Sequence, residues 1–515
     1  MNKEQILWAD DEIDLLKPHI LFLQNKGYEV TTVTNGRDAL DAISQQNFHL
    51  IILDENMPGI SGLEALQQIK IAQPNVPVIM ITKSEEENIM NQAIGSEIAD
   101  YLIKPVNPMQ ILLSIKKNLH SEALVAQKAT SDYQQEFMSI SQQIAMARTI
   151  DDWYQLYNTL VRWELTLSNA ETGMTDMLRM QKQEANSAFA KMVKRNYEKW
   201  VTTDDHPLMS NEIFKTQIFP HIDAGEKVCF IVIDNFRLDQ WRTISPLLND
   251  YFNIEKEELY TTILPTATQY ARNAIFSGLM PIDIERMFPE LWVDEDEDEG
   301  KNLNEAPLIQ TILDRYRRKC KFSYNKLNDS AAGERLVQHF AQLKNFDLNV
   351  IVFNFVDILS HARTESKMIR ELAYTDEAYR SLTVTWFKNS YVLEIFKRIA
   401  EQGWKIVLTT DHGTTRVDNA IKVIGDKNTN TNLRYKVGKN LSYNPRQVYE
   451  IKQPKRFGLP LLNVSSTYIF ASGRDFFAYP NNYNHYVQYY NDTFQHGGIS
   501  MEEMLVPLIT LTPQK

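Results

Sequence analysis

Residues 228–234 of the sequence are Val228-Cys229-Phe230-Ile231-Val232-Ile233-Asp234, an apolar run that ends in an acid. Two further apolar runs end in the same way, residues 348–356 before Asp357 and residues 405–410 before Asp411. Runs of this length and composition predict buried strands of a parallel sheet. Because open α/β sheets bind ligands at the carboxyl ends of their strands, we expect these three carboxylates to gather at one edge.

The composition is typical of a globular protein with real cores, with 43% hydrophobic and 23% charged residues over 515 positions. This length predicts about three domains. The net charge of −12 argues against broad, non-specific nucleic-acid binding. Two cysteines, Cys229 and Cys320, predict neither a disulfide framework nor a thiolate metal site. The sequence shows no signal peptide and no apolar stretch approaching about 18 residues, so we expect a cytoplasmic protein.

The N-terminal region alternates predicted strands and helices, with short loops between them. The predicted strands are residues 5–9, 28–33, 50–53, 76–81 and 100–103. Helical patterns lie between them, for example at residues 13–26 and 63–71. Five βα units of this size predict a doubly wound, flavodoxin-like parallel sheet over residues 5–118.

Polar residues at the ends of these strands would share one edge of the sheet. Asp10 and Asp11 follow the first strand, and Asp54 ends the third. Thr82 ends the fourth strand and Lys104 the fifth. Clustered carboxylates repel one another unless a cation lies among them, and oxygen ligands of this kind suit Mg²⁺. The ion and Lys104 would neutralise a phosphoryl group on Asp54, to which Thr82 could donate a hydrogen bond.

This pattern resembles the receiver domain of two-component response regulators. The resemblance implies four Mg²⁺ ligands, which are Asp10, Asp11, Asp54 and the backbone carbonyl of Asn56. It implies that Asp54 is the phosphoacceptor and that Thr82 and Tyr101 form the conformational switch. Lys104 would pair with the phosphate, and the Lys104–Pro105 bond would be cis. A single aspartate at a strand end could instead cap a helix, and a degenerate receiver is the competing interpretation, although no key residue is missing.

The middle of the sequence predicts an all-α helical bundle or long hairpin of about 90 residues. Between Pro108 and Pro207 there is no other proline and one glycine, Gly173. Apolar residues recur there at helical spacing, namely Trp153, Leu156, Tyr157, Leu160, Trp163 and Leu167. Residues 107–210 carry 11 basic and 12 acidic side chains, a net charge of 11 − 12 = −1. A DNA-reading domain would be more basic.

Two other segments have unusual charge. Residues 294–299 are consecutive acids, which predict a solvated loop rather than a metal site, because like charges repel. Residues 414–495 form a long insertion whose basic residues are Arg416, Lys422, Arg434, Lys436, Lys439, Arg446, Lys452, Lys455 and Arg456. Tyr435, Tyr443 and Phe457 lie among them. Cations interleaved with aromatic rings can hold phosphates and stack bases, but a solvated basic face would have the same composition.

The acids and histidines of the C-terminal half are the ligand types that Zn²⁺ prefers, with Mn²⁺ as the alternative. Asp357 and His361 are four residues apart, so one helical turn after the strand would present both to one ion. Asp411 and His412 are adjacent and would point apart, towards different ions or different sides of a site. Gly413 would let the backbone come close.

Thr268 precedes a helical pattern, which places it near the helix N-cap. Free backbone N–H groups at that position favour an anion or an alkoxide, so Thr268 could be a nucleophile. A simple capping role is the alternative, since threonine is a preferred N-cap residue. Thr266 is the rival nucleophile.

The order of these acids, threonine and histidines along the chain resembles the PglZ branch of the alkaline phosphatase superfamily. The resemblance covers about residues 215–515. The resemblance implies two Zn²⁺ ions. One would be held by Asp234, Thr268, Asp411 and His412. The other would be held by Asp357, His361 and His496. A threonine nucleophile is similar to the nucleotide pyrophosphatase and phosphodiesterase members, so we expect a metal-dependent phosphodiesterase acting on nucleotide or oligonucleotide diesters. Arg272 could reach the site with the extra positive charge that a monoesterase needs, which leaves that activity open.

The order of the three regions along the chain resembles that of PorX-type response regulators. It predicts a receiver domain at residues 1–120, a helical linker domain at residues 121–212 and a larger α/β, alkaline-phosphatase-like PglZ domain at residues 213–515. The resemblance implies a sensor histidine kinase as partner, a homodimer on phosphorylation and a role in type IX secretion. A non-catalytic regulator whose PglZ-like domain binds metal and a phosphorylated ligand or protein partner is the second hypothesis. A transcription regulator is the third, and the near-neutral bundle speaks against it.

Overall fold

The chain forms two structural units, Met1–Ser131 and Asp132–Lys515, here named the N-terminal unit and the C-terminal unit. The computed structural model describes residues 3–83, 87–168, 172–293, 302–426 and 429–514. The acidic run at residues 294–299 lies outside the described residues. Among the residues described, no helix combines the length and the apolar character that a membrane span would require.

The N-terminal unit is built on a five-stranded parallel sheet. Its strands are β1 (Gln5–Ala9), β2 (Glu29–Val33), β3 (Leu50–Asp54), β4 (Val78–Thr82) and β5 (Asp100–Ile103). Its helices are α1 (Lys17–Asn25), α2 (Gly36–Gln45), α3 (Gly62–Ala72) and α4 (Glu87–Gly95), followed by the start of α5 (Pro108–Met146). The strand order is β2-β1-β3-β4-β5. Every residue of β3 and β4 is buried, as expected when helices cover both faces, so the predicted doubly wound sheet is confirmed.

The boundaries of the first helix differ from the prediction. Ile13–Leu16 forms a 3₁₀ turn, and α1 begins only at Lys17. Pro18 lies in the first turn of α1, where its fixed φ angle fits and its missing N–H is not needed. Further along, Ser61 and Glu64 form a capping box that starts α3 directly after the loop that follows β3.

The middle of the chain is helical, as the apolar spacing predicts. After α5 come α6 (Ile150–Thr166) and α7 (Thr172–Thr202). A capping box starts α6, with the Thr149 hydroxyl accepting from the N–H of Asp152. Within the C-terminal unit, the Tyr133 hydroxyl of α5 donates to Gln181 Oε1 of α7 at 3.0 Å. The predicted apolar stripe is buried, comprising Trp153, Leu156, Tyr157, Leu160, Trp163 and Leu167.

The C-terminal unit contains a mixed six-stranded sheet in the order β7-β18-β10-β6-β9-β8. Its strands are β6 (Val228–Ile233), β7 (Phe252–Thr261), β8 (Phe322–Leu327), β9 (Leu348–Phe353), β10 (Lys405–Thr409) and β18 (Leu505–Pro513). The four strands β10, β6, β9 and β8 pair in parallel, as predicted for the apolar runs. In contrast, β18 is antiparallel to both of its neighbours, β10 and β7.

Helices surround this sheet and connect its strands. They are α8 (Phe219–Asp223), α9 (Leu238–Ile244), α10 (Thr268–Ser277), α11 (Pro281–Met287), α12 (Glu305–Arg315), α13 (Ser330–Gln338), α14 (Phe355–Glu365), α15 (Lys367–Leu372), α16 (Asp376–Asn389) and α17 (Tyr391–Glu401). The apolar run at residues 348–356 is therefore not one strand. It leaves the sheet after Phe353 and enters α14 at Phe355, which puts Asp357 in the first turn of a helix.

The insertion at residues 414–495 is a folded β-rich segment. It contains β11 (Thr415–Arg416), β12 (Asn419–Lys422), β13 (Tyr435–Gly438), β14 (Tyr449–Ile451), β15 (Thr467–Phe470), β16 (Asp475–Ala478), α18 (Tyr483–Tyr490) and β17 (Phe494–Gln495), and α19 (Met501–Met504) follows it. Two of its predicted phosphate-binding cations are buried. Arg434 pairs with Glu503, and Lys436 donates to the carbonyl of Asn430 at 2.7 Å.

Candidate active site

The parallel pairing of β6 with β10 brings three predicted ligands together in a buried cluster, here named the inner group. It consists of Asp234, Asp411 and His412, whose ligand atoms lie within 4.8 Å of one another. The two adjacent residues after β10 therefore face the same point from different sides. Gly413 fits tightly beside them, since a Cβ atom there would lie 2.0 Å from the Glu502 carbonyl oxygen.

Thr268 is the first residue of α10 and faces the inner group. Its hydroxyl lies 3.1 Å from His412 Nε2 and 3.5 Å from Asp234 Oδ1. The capping interpretation is wrong, because Ala267 occupies the N-cap position and no side chain caps this helix.

The rival threonine has a different environment. Thr266 is completely buried, and its hydroxyl donates to the Gly498 carbonyl at 2.9 Å. The same hydroxyl accepts from the Gly497 N–H at 2.9 Å. Both hydrogen-bonding functions are thus satisfied by the backbone of a distant turn, so Thr266 anchors the loop that precedes Thr268.

A second cluster, here named the outer group, consists of Asp357, His361 and His496. Its ligand atoms also lie within 4.8 Å of one another. The first two residues project from successive turns of α14, as their spacing predicts, and His496 follows β17. His361 is the most open member, with 61% of its side chain exposed.

The two groups touch through their histidines. The rings of His412 and His496 are stacked, with their centroids 4.2 Å apart. His496 Nδ1 lies 3.1 Å from the Thr266 carbonyl oxygen, which leaves Nε2 facing Asp357 at 3.8 Å. Burial and the neighbouring histidines hold the pKa of His496 well below its usual range, so the ring is neutral and has a lone pair for a metal ion.

Arg272 lies against two carboxylates of the inner group, Asp234 and Asp411. Its guanidinium is fully buried and pairs with Asp234, with Asp411 at 3.0 Å and with Glu305 at 3.1 Å. Burial raises the pKa of Asp234 well above its ordinary value, against the effect of Arg272. Burial also acts to raise the pKa of Asp411, but Arg272 and His412 more than offset this effect and the pKa is lowered. Arg272 therefore reaches the site, as predicted, and its charge is shared among three carboxylates. A contact between Arg272 and a substrate stays a prediction.

The donor set of both groups fits a pair of divalent ions. Each group combines aspartate oxygens with imidazole nitrogens, which are the ligand types of zinc sites. Three carboxylates at one sheet edge repel one another, and Arg272 compensates only the inner two, Asp234 and Asp411. The residues present therefore suit Zn²⁺ in both positions.

In the N-terminal unit, Asp10, Asp11 and Asp54 also lie together, with ligand atoms within 4.8 Å. Lys104 Nζ donates to Asp10 and to Asp54, in both cases at 2.8 Å. Burial raises the pKa of Asp54, against the effect of Lys104. The buried Asp54 Oδ1 has no hydrogen-bond partner within the described part of the chain, which suits an oxygen awaiting a cation or a phosphoryl group.

The remaining predicted receiver residues lie near this acidic edge. Thr82 is buried at the end of β4, and Tyr101 is half-buried in β5, the neighbouring strand. Asn56 follows β3 by two positions and has an exposed side chain. The predicted cis bond at Lys104–Pro105 is confirmed.

Three contributors to the C-terminal site escaped the sequence analysis. Asn235 lies directly between the two groups, and Glu305 binds the far side of Arg272. A second cis bond, Leu264–Pro265, precedes the Thr268 loop. Only Asn235 had a usable signal, since it is a polar residue directly after a strand-terminal acid.

Family models match almost the whole chain. A response regulator receiver domain model matches residues 6–116, and a PorX response regulator linker domain model matches residues 123–201. A model of the BREX system PglZ alkaline phosphatase-like domain matches residues 213–511.

Individual relatives match over shorter stretches. The transcriptional regulatory protein ResD of Bacillus subtilis (strain 168) is 32% identical over 115 residues, which cover 22% of this chain and 48% of ResD. The alkaline phosphatase synthesis transcriptional regulatory protein PhoP of the same organism is 29% identical over 168 residues, which cover 32% of this chain and 68% of PhoP. The chain thus spans about half the length of the first curated relatives that it matches.

Solved structures match over a similar share of the chain. The chemotaxis protein CheY4 of Vibrio cholerae is 28% identical, and the match covers 23% of this chain and 100% of CheY4 with a TM-score of 0.22. A CheY-like receiver domain protein of Methanospirillum hungatei JF-1 is also 28% identical, with coverage of 23% and 96% and a TM-score of 0.23. The PglZ model alone spans more than half of the chain, and it follows the receiver and linker matches directly. The chain therefore belongs to the PglZ family of alkaline phosphatase-like domains, in the PorX-type arrangement with a response regulator receiver domain and a PorX linker domain.

Proposed function

We propose that this protein is a two-component response regulator whose C-terminal domain is a metal-dependent phosphodiesterase with Thr268 as its nucleophile. The observation that carries this proposal is the position of the Thr268 hydroxyl, 3.1 Å from His412 Nε2 and 3.5 Å from Asp234 Oδ1. A hydroxyl at the first residue of a helix, held against an acid and a histidine of a metal-ligand cluster, is placed to attack a phosphate ester.

In the proposed mechanism, the inner group with Thr268 would hold one Zn²⁺ and the outer group would hold the other. When bound, the two ions would neutralise the phosphate oxygens and favour the ionised hydroxyl of Thr268. The Thr268 hydroxyl gives up its proton to solvent and Oγ1 attacks phosphorus. The bond between phosphorus and the leaving ester oxygen breaks as the new O–P bond forms, and the leaving oxygen takes a proton from water. Water then hydrolyses the phosphothreonine ester and regenerates the hydroxyl. Arg272 keeps Asp234 and Asp411 together throughout, because its guanidinium binds both carboxylates.

The charge around the site supports a diester rather than a monoester substrate. A phosphate monoester carries an additional negative charge, and the nearest arginine to Thr268 along α10 is bound to three carboxylates. For a nucleotide or oligonucleotide substrate, the support is the exposed basic residues of the insertion. Exposed basic residues of the insertion include Lys439, Arg446 and Lys455.

For the regulatory half, we propose phosphorylation of Asp54 by a sensor histidine kinase. Mg²⁺ bound by Asp10, Asp11, Asp54 and the Asn56 carbonyl would assist this transfer. Thr82 and Tyr101 would then rearrange, and the phosphorylated chain would form a homodimer in the cytoplasm. The role in type IX secretion that the PorX-type resemblance implies is part of this proposal. We propose residues 1–120, 121–212 and 213–515 as the three domains.

Hydrolysis of an aryl phosphodiester tests the catalytic proposal. We expect the full chain with added Zn²⁺ or Mn²⁺ to hydrolyse it, and Thr268→Ala to lose at least about 10³-fold in rate, as for other lost nucleophiles. Thr268→Ser is the matched control, because it retains a hydroxyl and should retain measurable activity. A parent chain with full zinc occupancy and no hydrolysis would support the non-catalytic regulator instead.

A further inference from the structure

Asn235 occupies an unusual backbone position between the two metal-ligand groups. It follows Asp234 directly and is completely buried. Its φ angle of 61° lies in the left-handed region, where residues other than glycine are uncommon. Asparagine tolerates this conformation better than most side chains, but a buried example persists only where surrounding contacts hold it.

Asn235 contacts one carboxylate from each group. Its side-chain Nδ2 donates to Asp357 Oδ1 of the outer group at 3.1 Å. Its backbone N–H points at Asp411 Oδ1 of the inner group at 3.4 Å. The residue that makes this double contact therefore has a left-handed backbone, and its side chain reaches the first turn of α14.

The side-chain carbonyl oxygen of Asn235 is in a different environment from the side-chain nitrogen. Within the part of the chain that the structure describes, Asn235 Oδ1 is buried and has no hydrogen-bond partner. An unpaired buried carbonyl oxygen and a left-handed backbone both cost free energy. A residue used only as a turn would be glycine, which avoids both costs. The asparagine side chain therefore has a role that glycine could not fulfil.

We infer that Asn235 is a positioning residue that fixes the Asp357 carboxylate relative to the inner group and thereby prepares the outer group to hold a metal ion. The inference rests on the proposed two-metal function. Asp357 Oδ1, which accepts from Asn235, lies 3.8 Å from His496 Nε2. The other oxygen, Asp357 Oδ2, lies 3.5 Å from His361 Nε2. Holding one carboxylate oxygen fixes the direction of the other, which is how outer hydrogen bonds orient metal ligands.

The test is zinc binding by the full chain, measured by competition with a chelating indicator. The parent should bind two ions in this domain. Asn235→Gly keeps the left-handed backbone but removes the amide, so the outer ion should bind about 10- to 100-fold more weakly while the inner ion is unaffected. Asn440→Gly is the matched control, because Asn440 is also left-handed, with φ of 53°, but lies exposed on the insertion.

The outcomes separate this inference from the function on which it rests. If the parent binds two ions and Asn235→Gly binds both with parental affinity, the positioning role is wrong and the two-metal proposal stands. If the parent binds fewer than two ions in this domain, both are wrong. Should Asn235→Gly fail to fold, a crystal of the zinc-loaded parent decides. An amide still within hydrogen-bond distance of Asp357 supports the inference, and an amide turned away from it overturns the inference.

Discussion

The rings of His412 and His496 lie nearly parallel, with 15° between their planes and 4.2 Å between their centroids. One ring belongs to the inner group and the other to the outer group. The stack therefore joins the two halves of the site through side chains that are 84 positions apart in the sequence (496 − 412). Removing either ring should affect both groups.

His496→Ala is expected to remove a ligand of the outer group and the stacking partner of His412. We expect zinc stoichiometry in the C-terminal domain to fall from two to one, and aryl phosphodiester hydrolysis to fall by at least about 100-fold. Metal analysis by mass spectrometry and steady-state kinetics measure these effects. His339→Ala is the control, since His339 is exposed and its ring contacts the Arg335 carbonyl oxygen near the end of α13, away from both groups. Two retained ions in His496→Ala would contradict the ligand assignment.

Arg272→Met is expected to destabilise the metal-free C-terminal unit. The variant leaves the acids Asp234, Asp411 and Glu305 buried without their shared cation, at a cost of about 3–5 kcal/mol. Thermal unfolding in the presence of a chelator measures this loss. Arg286→Met is the control, since Arg286 is exposed and its pair with Asp283 contributes about 0–1 kcal/mol. An unchanged melting temperature would mean that Arg272 does not compensate these acids.

Asp239 belongs to a buried ion-pair network with Arg237 and Arg380, and we expect this network to make the fold less stable at low pH. Burial acts to raise the pKa of Asp239, but Arg237 and Arg380 more than offset it, so the folded pKa lies below the ordinary 3.8. A carboxyl group whose pKa is lower in the folded chain than in the unfolded chain stabilises the fold at pH values above its unfolded pKa. That stabilisation is lost as the pH falls through its folded pKa. We therefore expect chemical unfolding to become easier from about pH 5 downwards.

Asp239→Asn should flatten this pH dependence and lower the stability at pH 7, because Arg237 and Arg380 lose their shared carboxylate. Glu371→Gln is the control, since Glu371 is 72% exposed and its ion pair spans 4.0 Å. If Asp239→Asn and the parent lost stability in parallel as the pH fell, the buried network would not be the source of the acid sensitivity.

Asp54→Asn is expected to abolish phosphorylation by acetyl phosphate in the presence of Mg²⁺. The measurement is the mobility of the chain in a phosphate-binding gel. The substitution removes the carboxylate oxygen that we propose as the phosphoacceptor, and the amide cannot be phosphorylated. Asp41→Asn is the matched control, because Asp41 is an exposed aspartate of the same unit. Persistent phosphorylation of Asp54→Asn would move the acceptor to another residue.

Much of the fold could be predicted because its periodicities are local. The five βα units of the N-terminal unit and the buried stripe of α6 follow directly from spacing. Strand β18 could not be assigned to its place, because a central antiparallel strand depends on pairing with β7 and β10, which lie far away in sequence. The end of β9 was missed by three residues, since an apolar run does not distinguish a buried strand from the first turn of a buried helix.

The candidate site could be predicted where chemistry follows strand ends, and not where it depends on side-chain direction. Asp234, Asp357 and Asp411 were placed together by strand order alone. The sequence could not show that Arg272 turns inward or that Arg434 is buried against Glu503, because each arginine pairs with an acid that is distant in the sequence. Burial of an arginine depends on an acid supplied from elsewhere in the chain.

The central position of β18 has a consequence for protein synthesis. Residues 505–513 fill the gap between β10 and β7, so the six-stranded sheet cannot close until they have left the ribosome. The turn at Gly497 and Gly498, which anchors Thr266 and hence the loop before Thr268, is also made late. A nascent chain can therefore complete its receiver domain well before it can assemble the site around Thr268, so a chain truncated before residue 505 would lack the proposed hydrolase site.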